Sequence, residues 1–154
     1  MFNRTFSINT IKTNNIKHIV ISGGEPFLQS NKLALLCAEL YELGYEITIE
    51  TNGTIFDEEV MKYVKLISIS PKLSNSTPWE KNLVDTGIIF NNRSAESHEA
   101  TRRNLDATYN LISAAVGNLC DFQLKFVVNN EEDLKEIMDD YITPLRQKSI
   151  AENG

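Results

Sequence analysis

Cysteine is scarce in this sequence, with two residues in 154, Cys37 and Cys120. They lie far apart, and each sits within an otherwise apolar segment, so the sequence predicts two buried free thiols rather than a disulfide or a metal-binding pair. The chain is 42% hydrophobic and 23% charged, which suits a single domain over residues 1–154 that is held together by an apolar core.

Long apolar runs and an excess of basic residues are also missing. No run approaches the length needed to span a bilayer, and residues 1–5 lack the charged-then-apolar layout of a signal peptide. The formal charge of -6 argues against a nucleic-acid surface built on phosphate neutralisation. We therefore expect a cytoplasmic protein that binds neither membrane nor nucleic acid.

What is present is an alternation of strand and helix patterns. Repeated βα units predict a parallel sheet with right-handed crossovers. The predicted strands are residues 18–22, 45–50, 66–70 and 122–128. The predicted helices lie near 6–13, over 33–43 before Gly44, after a cap at Asp57, over 97–116, and from Asn130 to Tyr141 with Leu134, Ile137, Met138 and Tyr141 on one face.

The alternation within the strands predicts two different sheet faces. One face carries isoleucines that pack against helices, and the other is partly polar. A doubly wound sheet is normally apolar on both faces, so the α/β class with a partial (β/α) barrel of parallel strands is favoured over a flavodoxin-like sheet. The outward set is Ile19, Ile21, Ile47, Ile49, Ile67, Ile69, Leu124, Phe126 and Val128, and the inward set is Val20, Ser22, Thr48, Glu50, Ser68, Ser70, Gln123 and Lys125.

Polar segments follow three of these strands. Ser22-Gly23-Gly24-Glu25-Pro26 follows the first, Thr51-Asn52-Gly53-Thr54 the second and Pro71-Lys72-Leu73-Ser74 the third. Paired glycines let the backbone approach a ligand closely, although a tight strand-to-helix turn would also use them. Because ligands sit at the carboxyl ends of parallel strands, the three segments predict one shared site.

These segments resemble those of the radical S-adenosylmethionine superfamily, and within it those of the 7-carboxy-7-deazaguanine synthases. The resemblance runs from about residue 16 to residue 141 and rests on the segments 22–29, 50–54, 70–74 and 124–128, in this order. The glycine-rich segment alone is typical of the whole superfamily, whereas the segments at 50–54 and 70–74 are more specific.

The resemblance implies a set of binding residues for S-adenosylmethionine and for a pterin substrate. Asn52 and Gly53 are expected near the pterin, and the resemblance names no catalytic or metal-ligating residue within the chain. The cofactor-binding residues it implies are Gly23, Gly24 and Glu25 for the methionyl amino group, and Glu50, Ser70 and Lys72 for the ribose or the carboxylate.

The implied reaction converts 6-carboxy-5,6,7,8-tetrahydropterin to 7-carboxy-7-deazaguanine with loss of ammonia, in queuosine biosynthesis. The implied cofactors are S-adenosylmethionine, a [4Fe–4S] cluster and Mg²⁺, and the implied partners are a second copy in a homodimer and an electron donor such as flavodoxin or ferredoxin. The family holds its cluster with three closely grouped cysteines, which this chain lacks. We therefore expect the interior of a longer enzyme, a barrel incomplete at both ends and inactive as an isolated chain.

Several alternatives stay open at the level of sequence. Glu50 could be a structural carboxylate paired with Lys72 or Lys125, and Lys125 itself could be functional or not. His18 and His98 show no metal-binding spacing and are expected as surface or packing residues. The stretch 71–94 could be a lid, a partner contact or a surface insertion. The chain could also be another radical enzyme, such as an activase of glycyl-radical proteins, or a cluster-free binding module.

Overall fold

Four β-strands form one parallel sheet in the residues that the computed structural model describes, which are 16–79 and 91–153. The strands lie in the sheet in chain order. The parallel arrangement and the alternation with helices confirm the α/β class and the partial (β/α) barrel, whereas the helix predicted near 6–13 lies outside the described residues. The strands are β1 (His18–Ile21), β2 (Glu46–Thr51), β3 (Leu66–Ile69) and β4 (Asp121–Leu124).

The fourth strand is shorter than predicted, because it ends at Leu124 rather than at residue 128. Its partner β3 ends at Ile69, and Pro71 has no N–H with which to continue the ladder. The amide of Lys125 makes the last bond, to the carbonyl of Ile69 at 2.8 Å. Phe126 then packs against the ring of Tyr141 instead of extending the sheet.

Six α-helices accompany the sheet in the described ranges, and a π-helical turn, Met138–Ile142, joins the last two. The final helix was not predicted from the sequence. None of these helices combines the length and the apolar character that a membrane-spanning segment needs. The helices are α1 (Ser30–Glu42), α2 (Glu58–Met61), α3 (Asn92–Thr101), α4 (Leu105–Gly117), α5 (Glu131–Ile137) and α6 (Thr143–Asn153).

Capping residues explain where several helices begin. Asp57 caps α2 and Asn130 opens α5 with a capping box, as predicted. The prediction of one continuous helix over 97–116 is wrong, because α3 ends at Thr101 and α4 begins at Leu105. Asn104 between them accepts a hydrogen bond from the amide of Ala107 at 3.1 Å, so its side chain starts a new helix.

The isoleucine face of the sheet packs against the helices and forms the main core, as predicted. Cys37 and Cys120 are buried free thiols, which confirms that expectation. The apolar Leu43 belongs to the helix predicted over 33–43, but it is 39% exposed, because α1 ends at Glu42. Val128 was assigned to the face that packs against helices, but it is 43% exposed, because the strand ends before it. The buried members of this core include Ile19, Ile47, Ile49, Ile67, Ile69, Leu33, Cys37, Leu40, Val60, Leu111 and Ala115.

The apolar face predicted for α5 is partly wrong. Tyr141 is 1% exposed, but Leu134 and Met138 are 53% and 48% exposed. The helix is turned so that Asp133 is buried, where its carboxylate accepts from Asn75 Nδ2 at 2.8 Å. That anchor directs Leu134 and Met138 away from the core.

The opposite face of the sheet is polar and partly open, which confirms the predicted inner face. His18 Nε2 lies 2.7 Å from Thr48 Oγ1, and Gln123 donates to the hydroxyl of Ser68 at 3.0 Å. Val20 on the same face is 57% exposed. A polar, open face at the centre of the fold is where a barrel holds a ligand.

Candidate functional site

The carboxyl ends of β1, β2 and β3 meet at a cleft of about 420 Å³. That volume falls within the range of small-molecule sites, about 300–1,000 Å³. Six of the eight predicted binding residues line the cleft, and Glu25 and Gly53 do not. The lining residues are Ser22, Gly23, Gly24, Glu50, Thr51, Asn52, Ser70, Lys72 and Lys125.

The two glycines after β1 present bare backbone to this cleft. Gly23 has a φ of 137°, which side-chain-bearing residues rarely adopt. A Cβ built at Gly23 or at Gly24 meets nothing within 4 Å. No packing requirement is seen at either position, so the space beside this backbone is free for a ligand.

Glu25 lines an adjoining cavity of about 400 Å³ that shares Ser22 and Gly24 with the cleft, and it cross-links two of the loops that form the cleft. Its Oε1 accepts from the hydroxyl of Thr51 at 2.8 Å and from the amide of Phe27 at 3.1 Å. Its Oε2 accepts from the amide of Asn52 at 2.7 Å. The carboxylate therefore fixes the glycine-rich segment to the end of β2, and one acceptor position on Oε2 remains.

Gly53 is buried between its loop and α4 rather than facing the cleft. Its φ is 78°, and an added Cβ would lie 2.7 Å from Ile69 Cγ2. Its carbonyl accepts from the hydroxyl of Thr108 at 3.0 Å. Asn52 does line the cleft, and its Oδ1 accepts from the amide of Thr54 at 2.9 Å, as in an ordinary turn.

Glu50 at the end of β2 is held by two neighbours. It accepts from the hydroxyl of Ser22 at 2.9 Å and pairs with Lys125 Nζ at 3.1 Å. The Ser22 hydrogen bond, followed by Lys125, lowers the pKa of the Glu50 carboxyl. The predicted structural alternative is thus realised with Lys125 and not with Lys72, and both side chains of the pair stay more than two-fifths exposed.

Lys72 brings a free cation to the cleft. Within 16–79 and 91–153, its ammonium has no hydrogen-bond or ion-pair partner. Ser70 beside it is held by its amide, which donates to the carbonyl of Thr51 at 2.8 Å. The cleft therefore combines free backbone groups, one carboxylate and two ammonium groups, which suits a zwitterionic ligand that has hydroxyls.

The two site residues missed at the sequence level are Ser22, as a partner of Glu50, and Thr51, as a partner of Glu25. The first could have been found from the register. Ile21 pairs with Ile49, so the residues that follow them are neighbours. The contact of Thr51 with Glu25 depends on the path of the glycine-rich segment, which no local pattern gives.

The cysteines do not fit an iron–sulfur cluster. Burial raises the pKa of the Cys37 thiol to about 11, and burial also raises the pKa of Cys120. A cluster needs accessible thiolates that lie close together. The described part of the chain likewise holds no group of three or more His, Cys, Asp or Glu side chains that could bind a metal ion.

Comparison with known proteins identifies relatives of the chain. A 7-carboxy-7-deazaguanine synthase of Halobacterium salinarum is 39% identical over 120 residues, which are 78% of this chain and 42% of the relative. A protein of the same name from Rhodopirellula baltica is 32% identical over 130 residues, 84% of this chain and 44% of that protein. The chain thus spans less than half the length of these curated relatives.

A family model extends the match to most of the sequence. The model of the radical SAM superfamily matches residues 8–141, which include the three strands and the loops that form the cleft. The resemblance noted in the sequence is thereby confirmed, and the chain belongs to the radical SAM superfamily.

Proposed function

We propose that the chain is the S-adenosylmethionine-binding part of a 7-carboxy-7-deazaguanine synthase. The observation that carries the proposal is the cleft in which the Gly23-Gly24 backbone, the Glu50 carboxylate and the free ammonium of Lys72 face one another. Both relatives compared above bear that name, which favours this reaction over that of a glycyl-radical activase.

Each binding role follows from the chemistry of the group. The free backbone at Gly23 and Gly24, with the remaining acceptor position of Glu25, would take the methionyl ammonium. Lys72 would take the carboxylate, because no other anion competes for its ammonium in the described residues. The Glu50 carboxylate would accept from the ribose diol, and the hydroxyl of Ser70 would accept from it or donate to it.

Asn52 and Gly53 have different roles in this proposal. Asn52 lies on the cleft wall and can present its amide to the pterin, whose ring edge offers complementary donors and acceptors. Gly53 acts through packing, because its closeness to Ile69 and Thr108 fixes the position of the loop that carries Asn52. It would therefore shape the substrate side of the cleft without touching the substrate.

The whole-protein reaction is conversion of 6-carboxy-5,6,7,8-tetrahydropterin to 7-carboxy-7-deazaguanine with loss of ammonia. S-Adenosylmethionine and a [4Fe–4S] cluster supply the radical chemistry in this superfamily. The described residues fit the former and do not fit the latter, so no step through the cluster is assigned to this chain. Its residues bind and orient the ligand and limit the access of water.

Mg²⁺, homodimer formation and a flavodoxin or ferredoxin donor belong to the whole protein. Mg²⁺ commonly binds through one or two carboxylates together with oxygens of its substrate. In the described ranges no site of three ligand side chains exists, so any Mg²⁺ site here would depend on the bound pterin.

The test is calorimetric titration of the 154-residue chain with S-adenosylmethionine. Lys72→Met should weaken binding by about tenfold or more, the scale of a lost charged hydrogen bond. Lys65→Met is the matched control, because Lys65 lies exposed at the opposite end of β3 and should bind as the unchanged chain does. Equal affinity of Lys72→Met and Lys65→Met would refute the assigned role of Lys72.

A cluster-free binding module is the second candidate, and the buried thiols favour it. Anaerobic treatment of the chain with iron and sulfide, followed by absorbance and electron-spin measurements, separates the two. We expect no stoichiometric cluster and no reductive cleavage of S-adenosylmethionine by the isolated chain. If addition of a cysteine-bearing segment of a curated relative restores both, the chain is part of an enzyme, and if binding never leads to cleavage, the module is favoured.

A further inference from the structure

The segment after β3, residues 70–77, is called the lysine loop here, and it is fixed by side chains that come later in the chain. The carbonyl of Lys72 accepts two hydrogen bonds, one from Arg102 Nη1 at 2.8 Å and one from the hydroxyl of Tyr141 at 3.0 Å. Both donors approach the backbone of the residue whose ammonium faces the cleft. The main chain of Lys72 is therefore fixed by these two hydrogen bonds, while its ammonium remains available to a ligand.

Arg102 is a buried cation with two carboxylate partners. The residue is 8% exposed and lies at the carboxyl end of α3. Its Nη1 is 2.8 Å from Glu136 Oε1, and its Nη2 is 2.6 Å from Glu99 Oε1. The hydrogen bond from Arg102 is the main reason why the pKa of Glu99 lies below its ordinary value. The two carboxylates neutralise the guanidinium, so it does not compete with Lys72 for an anion.

The same carboxylates also bind the lysine loop directly. Glu136 accepts from the amide of Ser74 at 3.0 Å and from its hydroxyl at 2.7 Å. Glu99 accepts from the hydroxyl of Thr77 at 2.7 Å. Arg102 and its two carboxylate partners therefore bind the lysine loop at three residues, Lys72, Ser74 and Thr77.

The energetics of this network favour a role in geometry over a role in stability. Buried ion pairs often stabilise a fold no more than apolar residues of similar size, because desolvation offsets the attraction between the charges. In addition, Arg102 Nε is buried without a hydrogen-bond partner in the described structure, which carries a cost. A buried, incompletely bonded cation is a poor means of adding stability, but it defines the position of the carbonyl it binds.

We propose that Arg102 is a positioning residue that aims the ammonium of Lys72 into the cleft, with Tyr141 as a second donor to the same carbonyl. The inference rests on the proposed function, because it takes the ligand carboxylate as the target of Lys72. The orientation of the Lys72 ammonium would thus depend on the end of α3, although Arg102 itself does not line the cleft.

A double-mutant cycle tests this coupling. Affinity for S-adenosylmethionine is measured for the 154-residue chain and for Arg102→Met, Lys72→Met and the double variant. Arg102→Met should weaken binding by about tenfold in the chain with Lys72, and by less than about twofold in the Lys72→Met background. Equal losses in both backgrounds would mean that Arg102 acts on the fold in general, and would overturn the proposal.

Tyr141→Phe is the milder variant, in case Arg102→Met fails to fold. It removes one donor to the Lys72 carbonyl and keeps the ring in its apolar cluster with Leu73 and Leu145. We expect about a threefold loss of affinity that also vanishes in the Lys72→Met background. Tyr63→Phe, in the other apolar cluster, is the control and should bind normally.

Amide hydrogen exchange without ligand separates this inference from the proposed function. Arg102→Met and Tyr141→Phe should both speed exchange at the amides of Ser74, Ser76 and Thr77, and leave β1 and β2 unchanged. If the unchanged chain binds no S-adenosylmethionine, the proposed function fails, and the exchange rates alone then decide the role of Arg102. Unchanged exchange in both variants would overturn that role whatever the affinity.

Discussion

The two walls of the cleft are built in different ways. The first wall consists of residues 22–26 and 51–54, and it is tied together by the carboxylate of Glu25 bonding to Thr51 and Asn52. The second wall is the lysine loop, whose Lys72 carbonyl is held by donors 30 and 69 residues further along the chain. One wall thus contains its own anchor, and the other depends on distant elements.

A binding motif therefore need not contain the residues that support it. In the first wall the ligand-facing backbone of Gly23 and Gly24 and the anchoring carboxylate of Glu25 lie in the same short segment, and that carboxylate bonds to Thr51 and Asn52 of the wall's second segment. The second wall presents the ammonium of Lys72, but the backbone of Lys72 is held by Arg102 at the end of α3 and by Tyr141 in the turn after α5. Mutations can therefore damage the second wall without touching any residue of the motif.

The largest effect should come from removing the anchor of the first wall. Glu25→Ala leaves the amides of Phe27 and Asn52 and the hydroxyl of Thr51 without their acceptor. We expect a loss of about 2–4 kcal/mol in the free energy of unfolding, measured by urea denaturation. Glu46→Ala, an exposed carboxylate at the opposite end of β2, should change it little. Equal behaviour of the two variants would show that the first wall does not depend on its carboxylate.

A smaller effect is expected from the glycine that packs beneath the first wall. Gly53→Ala combines a φ of 78° with a Cβ 2.7 Å from Ile69 Cγ2, which should cost about 1–3 kcal/mol. Gly44→Ala is the matched control, because its φ is 80° and its Cβ meets nothing within 4 Å. The difference between the two melting curves reports the clash alone. No difference would mean that the loop moves freely away from α4.

Gly24→Val should act on binding rather than on folding. An added Cβ meets nothing within 4 Å, so the melting temperature should stay close to that of the unchanged chain. The side chain would fill the space beside the backbone and weaken S-adenosylmethionine binding by about tenfold. Calorimetry and a thermal melt on the same sample provide the check. Normal affinity would remove Gly24 from the ligand side of this wall.

The smallest effect should come from the exposed ion pair of Glu50 and Lys125, which joins the end of β2 to the residue after β4. Lys125→Met removes a partner of Glu50 whose contribution is screened by solvent. The pKa of Glu50 is lowered in the folded chain, so the pair stabilises above the carboxyl's unfolded pKa and loses its effect as the pH falls through the folded pKa. Melting curves of the two proteins should therefore converge in acid. A gap that widened as the pH fell would contradict this sign.

The sheet was predictable because its signals are local and repeat. Isoleucines alternate with polar residues in β2 and β3, and Asp57 and Asn130 mark helix starts by their capping chemistry. The site residues at the strand ends were equally predictable, since parallel strands bring their carboxyl ends together. Six of the eight predicted residues do line one cleft.

What the sequence did not reveal depends on contacts between distant segments. Gly53 resembles a turn glycine, and only its proximity to Thr108 explains its burial. Glu25 resembles a ligand for a cation, but its oxygens are mostly used by the end of β2. Arg102 lies in a polar helix with no motif around it, so its contact with Lys72 could not be foreseen from spacing.

The chain-ordered sheet also has a consequence for how the cleft arises during synthesis. Each strand can dock on the one made just before it, so β1, β2 and β3 can assemble early, together with the loop cross-linked by Glu25. A longer stretch of chain separates β3 from β4, and the donors Arg102 and Tyr141 come still later than the loop they hold. In a nascent chain the first wall can thus be complete while Lys72 still lacks its support. Full ligand affinity should be reached only after α3 and the turn after α5 have left the ribosome.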